Sequence, residues 1–366
     1  MIKVTLTNEI LRYITEIEQN RYKVSSVKLS KTVMNKLRKN SKKKSSYASN
    51  KIEGNPLSEK QVNEVIESDE RKHYLKPEQE VRNYFLALNY LEEKVKNKEK
   101  FSKQLILDVQ KLVEKGASKE KIGLRGPMPP GVLFAVYDSK TGNPDYIPPE
   151  YCDIPGLLDE LVEYVNTTDD HPLIVAAVVH YQLVTIHPFE DGNGRTARLL
   201  SGYIMDLNGY GFNGIGSLEE YFAYDIDEYY ESIQMGLPAL YYSGRENPPH
   251  PEIWINYFLR MVKLYSGKVC DLQLASEEED IAGSLSFLKE REKELLVLLI
   301  SSYRGEFTPI EVSKQLSVTN KTVINRLSVL AKSGFVIPIL VNKRICSYKL
   351  SEFAINHERE IKEAVG

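Results

Sequence analysis

From Leu6 to about Asn97 apolar residues recur at helical spacing, and Val81, Phe85, Leu88 and Leu91 predict one apolar face. FSKQLILDVQKLVEK, residues 101–115, predicts a further helix that ends at Gly116. The pattern then changes. Residues 122–150 hold four glycines and six prolines, which argues against helix, and within them VLFAVYD and PDYIP flank Ser139–Asn143 as the arms of a β-hairpin. Helix is expected again over Ile154–Asn166, and Asp169 or Asp170 is the expected cap of a helix starting near Pro172. The run LIVAAVVHYQLVTI, residues 173–186, is apolar almost all round, which places its helix in the middle of a helical bundle. That buried helix leads straight into His187 and gives it a rigid platform.

A helix is expected to follow Gly194 and to end near Asn208–Gly209, with others over Ile226–Met235 and Glu252–Tyr265. The acidic SEEED at 276–280 interrupts the apolar pattern and is the expected linker. Past it, LSFLKEREKELLVLLISSY, TPIEVSKQLS and TNKTVINRLSVLAKSG predict three helices, and FVIPIL and RICSYKL a pair of strands. Three helices and a two-stranded wing resemble a winged helix-turn-helix domain. The fold class is therefore mainly α, with a β-hairpin and a small C-terminal winged-helix module. The expected division is a helical region over 1–100, a core over 101–275 and the C-terminal module over 281–366.

Composition narrows the class. A chain of 366 residues suggests two or three domains, and 42% hydrophobic with 27% charged residues suits a folded, soluble protein. A net charge of −3 excludes strong global attraction to nucleic acid or an anionic membrane. No apolar run approaches the roughly 20 residues needed to span a bilayer, and the charged, amphipathic N-terminus is not a signal peptide. Cys152, Cys270 and Cys346 are odd in number and far apart, which gives neither a disulfide framework nor a metal knuckle. A reduced, cytoplasmic setting is expected. Lys36, Arg38, Lys39, Lys42, Lys43 and Lys44 form a basic stretch, read as a solvated helix end or loop before nucleic-acid contact.

The chemistry concentrates in HPFEDGNGRTAR, residues 187–198. Gly192-Asn193-Gly194 stands just before a predicted helix, where backbone N–H groups and the helix N-terminus attract an anion. Arg195 and Arg198 are three residues apart, so they share a helix face and can clamp one polyphosphate. Asp191, one residue before the glycine turn, is placed to hold Mg²⁺ against phosphates. His187 is the side chain best suited to accept a proton near neutral pH. A base, a metal ligand and phosphate donors within twelve residues point to attack of a hydroxyl on phosphorus. His180, seven residues earlier, is read as a hydrogen-bonded core residue; a His180–His187–Asp191 metal site is the alternative.

The string resembles the active-site motif of the Fic family, H-x-F-x-[D/E]-G-N-G-R-x-x-R, at every defining position. The resemblance implies AMP transfer from ATP to a protein hydroxyl, with His187 as general base, Phe189 as a buried anchor and Asp191 on magnesium. It implies that Gly192, Asn193 and Gly194 cradle the α- and β-phosphates, that Arg195 meets the β-phosphate and Arg198 the γ-phosphate, and that Thr196 and Ala197 belong to the same nucleotide site. The hairpin at 132–148 resembles the family's flap, whose edge aligns a target peptide, with Pro144, Asp145 and Tyr146 closing over the nucleotide. Tyr229 and Tyr230, with Tyr224 a turn or two before them, resemble residues that border the adenine; plain packing is the other reading. Past that pair stand Met235, Gly236 and Leu237, where some relatives carry an asparagine.

Residues 49–54, Ser-Asn-Lys-Ile-Glu-Gly, resemble the inhibitory motif [S/T]-x-x-x-E-[G/N] of one family branch. By that resemblance Glu53 pairs with Arg198 and denies it to the γ-phosphate, and Ser49, four residues earlier, shares its helix face. Two other functions stay open: removal of AMP at the same site, and a DNA-binding regulator whose domain only senses nucleotide. For the C-terminal module, docking of a target protein is preferred to DNA contact through Lys321, Thr322, Asn325 and Arg326. Self-modification is expected, and self-association is left open.

Overall fold

The computed structural model describes residues 2–27, 29, 31–68, 71, 73–117, 122–132, 134–137, 142, 144–235, 248, 250–341 and 344–365. The chain divides into two compact units: Met1–Tyr22 with Leu37–Val269, and Lys23–Lys36 with Cys270–Gly366.

Helices α1 (Asn8–Ser26) and α2 (Lys31–Ile52) come first, followed by α3 (Glu59–Glu67), which Ser58 and Gln61 start with a reciprocal capping box. In α4 (Lys76–Lys96) the buried face runs through Val81, Tyr84, Ala87 and Leu91, so the expected Phe85 and Leu88 lie half-buried at its margin. Ser102 accepts from the Leu105 N–H and opens α5 (Lys103–Glu114). The expected hairpin is the antiparallel pair β1 (Val136–Tyr137) and β2 (Pro144–Tyr146), with Val136 opposite Tyr146; residues 139–141 and 143 of its loop lie outside the described residues.

After α6 (Ile154–Thr167) comes the central helix, α7 (Pro172–Ile186), of which all but Pro172 and Val184 are buried. Its cap is neither aspartate. His171 Nδ1 accepts from the Leu173 N–H at 3.3 Å, while Asp170 accepts from the Tyr164 hydroxyl at 2.8 Å. Against α7 pack α8 (Asn193–Leu207), through Ser201 Oγ donating to Ala176 O at 3.0 Å, and Trp254, whose indole N–H donates to Ala177 O at 2.8 Å. Short helices α9 (Glu219–Tyr224) and α10 (Ile226–Gln234) precede α11 (Pro251–Ser286).

The expected linker is a correction. Residues 276–280 belong to α11, which is continuous over 36 residues, and the division between units falls inside it, after Val269. Serine, glutamate and aspartate lack an apolar face but do not stop a helix as proline does. The basic stretch is largely paired: Lys42 with Glu92 and Asn89, Lys43 with Glu67, and Lys44 with Glu220 at 3.1 Å.

The second unit contains α12 (Glu290–Ser302), α13 (Pro309–Leu316), α14 (Asn320–Lys332), the antiparallel strands β3 (Val336–Val341) and β4 (Arg344–Leu350), then α15 (Glu352–Asn356) and α16 (Glu358–Val365). Leu296, Leu299, Val312, Val323, Leu327 and Phe335 form its core. Among the described residues no helix is long and apolar enough to cross a membrane.

Candidate active site

The site begins where α7 stops. His187 takes a left-handed conformation, φ 49°, which turns the chain out of the helix, and its Nδ1 lies 3.2 Å from Val184 O. With the proton on Nδ1, donated to that carbonyl, Nε2 is left to accept one. Burial pushes the imidazole down to about 4; the Val184 carbonyl opposes this and Arg125 adds to it. His187 is therefore neutral, and competent as a base, at physiological pH.

The sign of this shift is testable. The unfolded chain binds the proton first as pH falls below about 6.5, so the shift costs stability progressively between 6.5 and about 4. An NMR titration of the folded protein should place the His187 ring transition near pH 4; a midpoint at 6.5 would contradict its burial.

Beyond His187 the loop is closed by one side chain. Asn193 Oδ1 accepts from the Phe189 N–H at 3.0 Å and Asn193 Nδ2 donates to Phe189 O at 2.9 Å, while the Phe189 ring is buried as expected. Gly192 has φ +81°, and a Cβ there would lie 2.6 Å from Glu114 Oε1, so the turn requires glycine twice over. From this turn α8 starts, and the N–H groups of Asn193, Gly194 and Arg195 precede the first helical bond, Thr196 N–H to Gly192 O at 2.9 Å. Thr196 and Ala197 are buried in the helix.

Arg198 is held on every side. Its Nε donates to Ser49 Oγ at 2.8 Å and its Nη2 to Ser49 O at 3.1 Å and to Glu53 Oε1 at 2.5 Å, and Nη1 reaches the Tyr229 hydroxyl at 3.4 Å. The α2 helix ends at Ile52, and Gly54, φ +79°, completes its turn so that Glu53 leaves the helix toward α8. A Cβ on Gly194 would lie 2.3 Å from Glu53 Oε1. The Glu53 carboxylate therefore rests on the N-terminus of α8, where a helix dipole and converging N–H groups favour an anion.

Arg195 points elsewhere. Its guanidinium is buried, with Nη2 donating to Glu114 Oε1 at 2.9 Å and Asp191 Oδ1 at 3.2 Å, and Nη1 lies 3.9 Å from Glu80 Oε1. The arginine expected on a β-phosphate is here committed to carboxylates. Asp191 Oδ1 also accepts from the Gly192 N–H at 2.8 Å. Among the described residues no three His, Cys, Asp or Glu side chains converge as a metal cage.

His180 is the core residue expected. Its Nε2 lies 2.8 Å from the Tyr229 hydroxyl, Trp254 and Phe222 pack on its ring, and burial holds it neutral. Tyr229 thus packs in the core and supports Arg198, while neighbouring Tyr230 is 44% exposed and Tyr224 93% exposed. Past this pair, where some relatives carry an asparagine, Met235 is buried in a left-handed C-cap; Gly236 and Leu237 lie outside the described residues. In the hairpin, Tyr146 donates to Thr185 O at 2.8 Å, Pro144 is exposed, and Phe134 lies 5.9 Å from the His187 ring.

Sequence reasoning missed several members. Arg125 donates from Nε to His187 O at 2.8 Å and from its guanidinium to Pro149 O, and its own N–H donates to Pro188 O. Gln110 and Glu114, one turn apart on α5, meet the Asp191–Arg195 turn from behind. Their signal was available: both are polar residues on the same face as Ile106 and Val113.

Residues 35–205 match the Fic/DOC family. That range holds the Ser49–Glu53 pair, both α5 residues and the whole turn, so the chain carries a domain of this family. Protein adenylyltransferase Fic of Drosophila grimshawi is 26% identical over 206 residues, 54% of this chain and 40% of its own length. Protein adenylyltransferase fic-1 of Caenorhabditis briggsae is 34% identical over 152 residues, 40% of this chain and 27% of its own length. The chain thus spans two fifths or less of these two relatives. A Fic family protein of Desulfovibrio desulfuricans shares the fold with a TM-score of 0.59 at 20% identity, over 96% of this chain and 98% of its own.

Proposed function

We propose that this protein is an adenylyltransferase that moves AMP from ATP to a Ser, Thr or Tyr hydroxyl of a protein. The observation that carries the reading is the pairing of a neutral imidazole with an anion-binding helix start that already holds a carboxylate. Glu53 and Asp191 both lie close enough to bear on the charge of His187. His187 Nε2 takes the proton from the target hydroxyl, whose oxygen forms a bond to the α-phosphorus. The bond from that phosphorus to the bridging oxygen breaks, and pyrophosphate leaves. The N–H groups of Asn193, Gly194 and Arg195 meet the phosphate charge, and the edge of the β1–β2 hairpin takes the target as an added strand.

Magnesium fits the donor set as a phosphate-bound ion. One carboxylate, Asp191, would hold it, with phosphates and water supplying the rest, which is the usual mode for Mg²⁺; it would neutralise phosphate charge. Asp191→Ala should then shift the Mg²⁺ dependence of ATP binding to higher concentration, read by calorimetry across a Mg²⁺ series. Coincident curves for variant and parent would remove Asp191 from that role.

The C-terminal unit is read as a winged helix-turn-helix that docks a protein. Lys321 and Asn325 are exposed on α14, but so is Ile324, and the strand pair exposes Ile337, Leu340 and Ile345. That surface is as apolar as it is basic. The direct test of the whole reading is incubation with α-labelled ATP, Mg²⁺ and lysate proteins: label on protein supports transfer, and none with Glu53 removed overturns it.

A further inference from the structure

The anion turn of this site is braced from beneath by α5, and nothing in the transfer chemistry above accounts for that brace. Glu114 is fully buried and Gln110 equally so, one helical turn apart. Gln110 Nε2 donates to Asp191 O at 3.3 Å, and its Oε1 accepts from the Gly123 N–H at 3.0 Å. Glu114 Oε1 binds Arg195 Nη2 at 2.9 Å and sits directly under Gly192, where no Cβ fits. The same Nη2 reaches Asp191 Oδ1 at 3.2 Å. A chain of contacts therefore runs from α5 through Arg195 to the carboxylate and backbone of the residue that opens the turn.

We infer that Gln110 and Glu114 are positioning residues for diphosphate recognition, acting through Asp191 and Arg195 rather than on the nucleotide. The inference rests on the nucleotide-binding reading above and deepens it. A buried carboxylate is costly unless it is paired, and it is paired here with a guanidinium that is itself shut off from solvent. Nε and Nη1 of Arg195 and Oε2 of Glu114 are buried with no hydrogen-bond partner among the described residues. An isolated core would gain nothing from such a pair. What the pair does is fix Asp191 and Gly192 in one arrangement, so that the N–H groups of Asn193–Arg195 converge before any nucleotide arrives. Burial raises the Glu114 carboxyl above the usual range, opposed by Arg195 and reinforced by Asp191 and Glu80.

The test compares ADP with AMP, because only ADP carries the second phosphate. In a Glu53→Gly background, calorimetry with Mg²⁺ measures both affinities for Glu114→Gln and for Gln110→Met, which keeps volume and removes the hydrogen bonds to Asp191 and Gly123. Each variant should weaken ADP about tenfold or more while AMP stays within about twofold, the size expected for losing a charged or buried polar contact. Thermal stability is read alongside. Should Glu114→Gln fail to fold, Gln110→Met decides. An unchanged ADP-to-AMP ratio, even with lowered stability, would reduce both residues to packing and overturn the inference. So would tighter ADP binding in Glu114→Gln, which would make Glu114 a competitor for Arg195. If the Glu53→Gly parent binds no adenine nucleotide, the functional reading itself falls and takes this inference with it.

Discussion

His187→Ala is expected to lower AMP transfer by about 10²–10⁴-fold while leaving the affinity for ATP nearly unchanged. The loss corresponds to roughly 3–5 kcal/mol of barrier, the contribution of a positioned general base. Position and protonation state both argue for this size. The left-handed turn at the end of α7 fixes the backbone, and the Val184 carbonyl fixes which nitrogen carries the proton. Burial holds the ring well below its ordinary range, which favours the uncharged form at neutral pH. The N–H groups proposed to meet the phosphates begin six residues on, at Asn193, and do not depend on the ring. Single-turnover transfer and ATP calorimetry on the same preparation separate the two effects. Transfer within a few-fold of the parent would remove His187 from the chemistry, and a matching loss of ATP affinity would make its role structural.

The parts of this site that were legible are those that local spacing encodes. HPFEDGNGRTAR is contiguous, so the base, the glycine turn and the arginines could be read without knowing the fold. Ser49 and Glu53 are four apart, and a helix ending at Ile52 delivers both to Arg198. Arg195 shows the limit. Its place beside Arg198 suggested a shared phosphate clamp, but its direction is set by Glu114, 81 residues away, and Glu80. Within α5 the only hint that a glutamate at its last turn is buried is its place on the face of Ile106 and Val113, and the partner that makes burial tolerable comes from another helix. Arg125 was hidden differently: it lies in a Gly- and Pro-rich stretch with no period, and its role is to bind carbonyls of two other loops. The acidic 276–280 stretch misled for a further reason. Loss of an apolar face marks solvent exposure as readily as a break, and only Pro or an unfavourable Gly would have decided for the break. The grouping of Lys23–Lys36 with Cys270–Gly366 joins segments more than 200 residues apart, which no linear boundary can express.

Glu53→Gly is expected to raise AMP transfer, self-modification included, and to tighten productive Mg-ATP binding. In this structure the Glu53 carboxylate does two things at once. It takes the Nη2 donor of Arg198, and it rests against Gly194 at the start of α8. A γ-phosphate on Arg198 and a phosphate at that helix start both need the space and the donors it fills, and two anions cannot share them without strong repulsion. The other contacts of Arg198, to Ser49 and to Tyr229, do not involve the carboxylate and keep the guanidinium in place once it is gone. Glycine at 53 lies outside α2, so the change costs little helix stability. Were Glu53 an ordinary surface partner, its pair would be worth about 0–1 kcal/mol and its removal would bring no gain in activity. Arg198→Ala should be inactive with or without Glu53, because the γ-phosphate then has no ligand to regain. AMP incorporation is measured for the parent, Glu53→Gly, Arg198→Ala and the double variant under one set of conditions. Incorporation by Glu53→Gly at or below the parental level would show that the carboxylate does not restrain the site. Activity in the double variant would show that the restraint acts through Gly194 alone, with Arg198 serving only to hold Glu53 there.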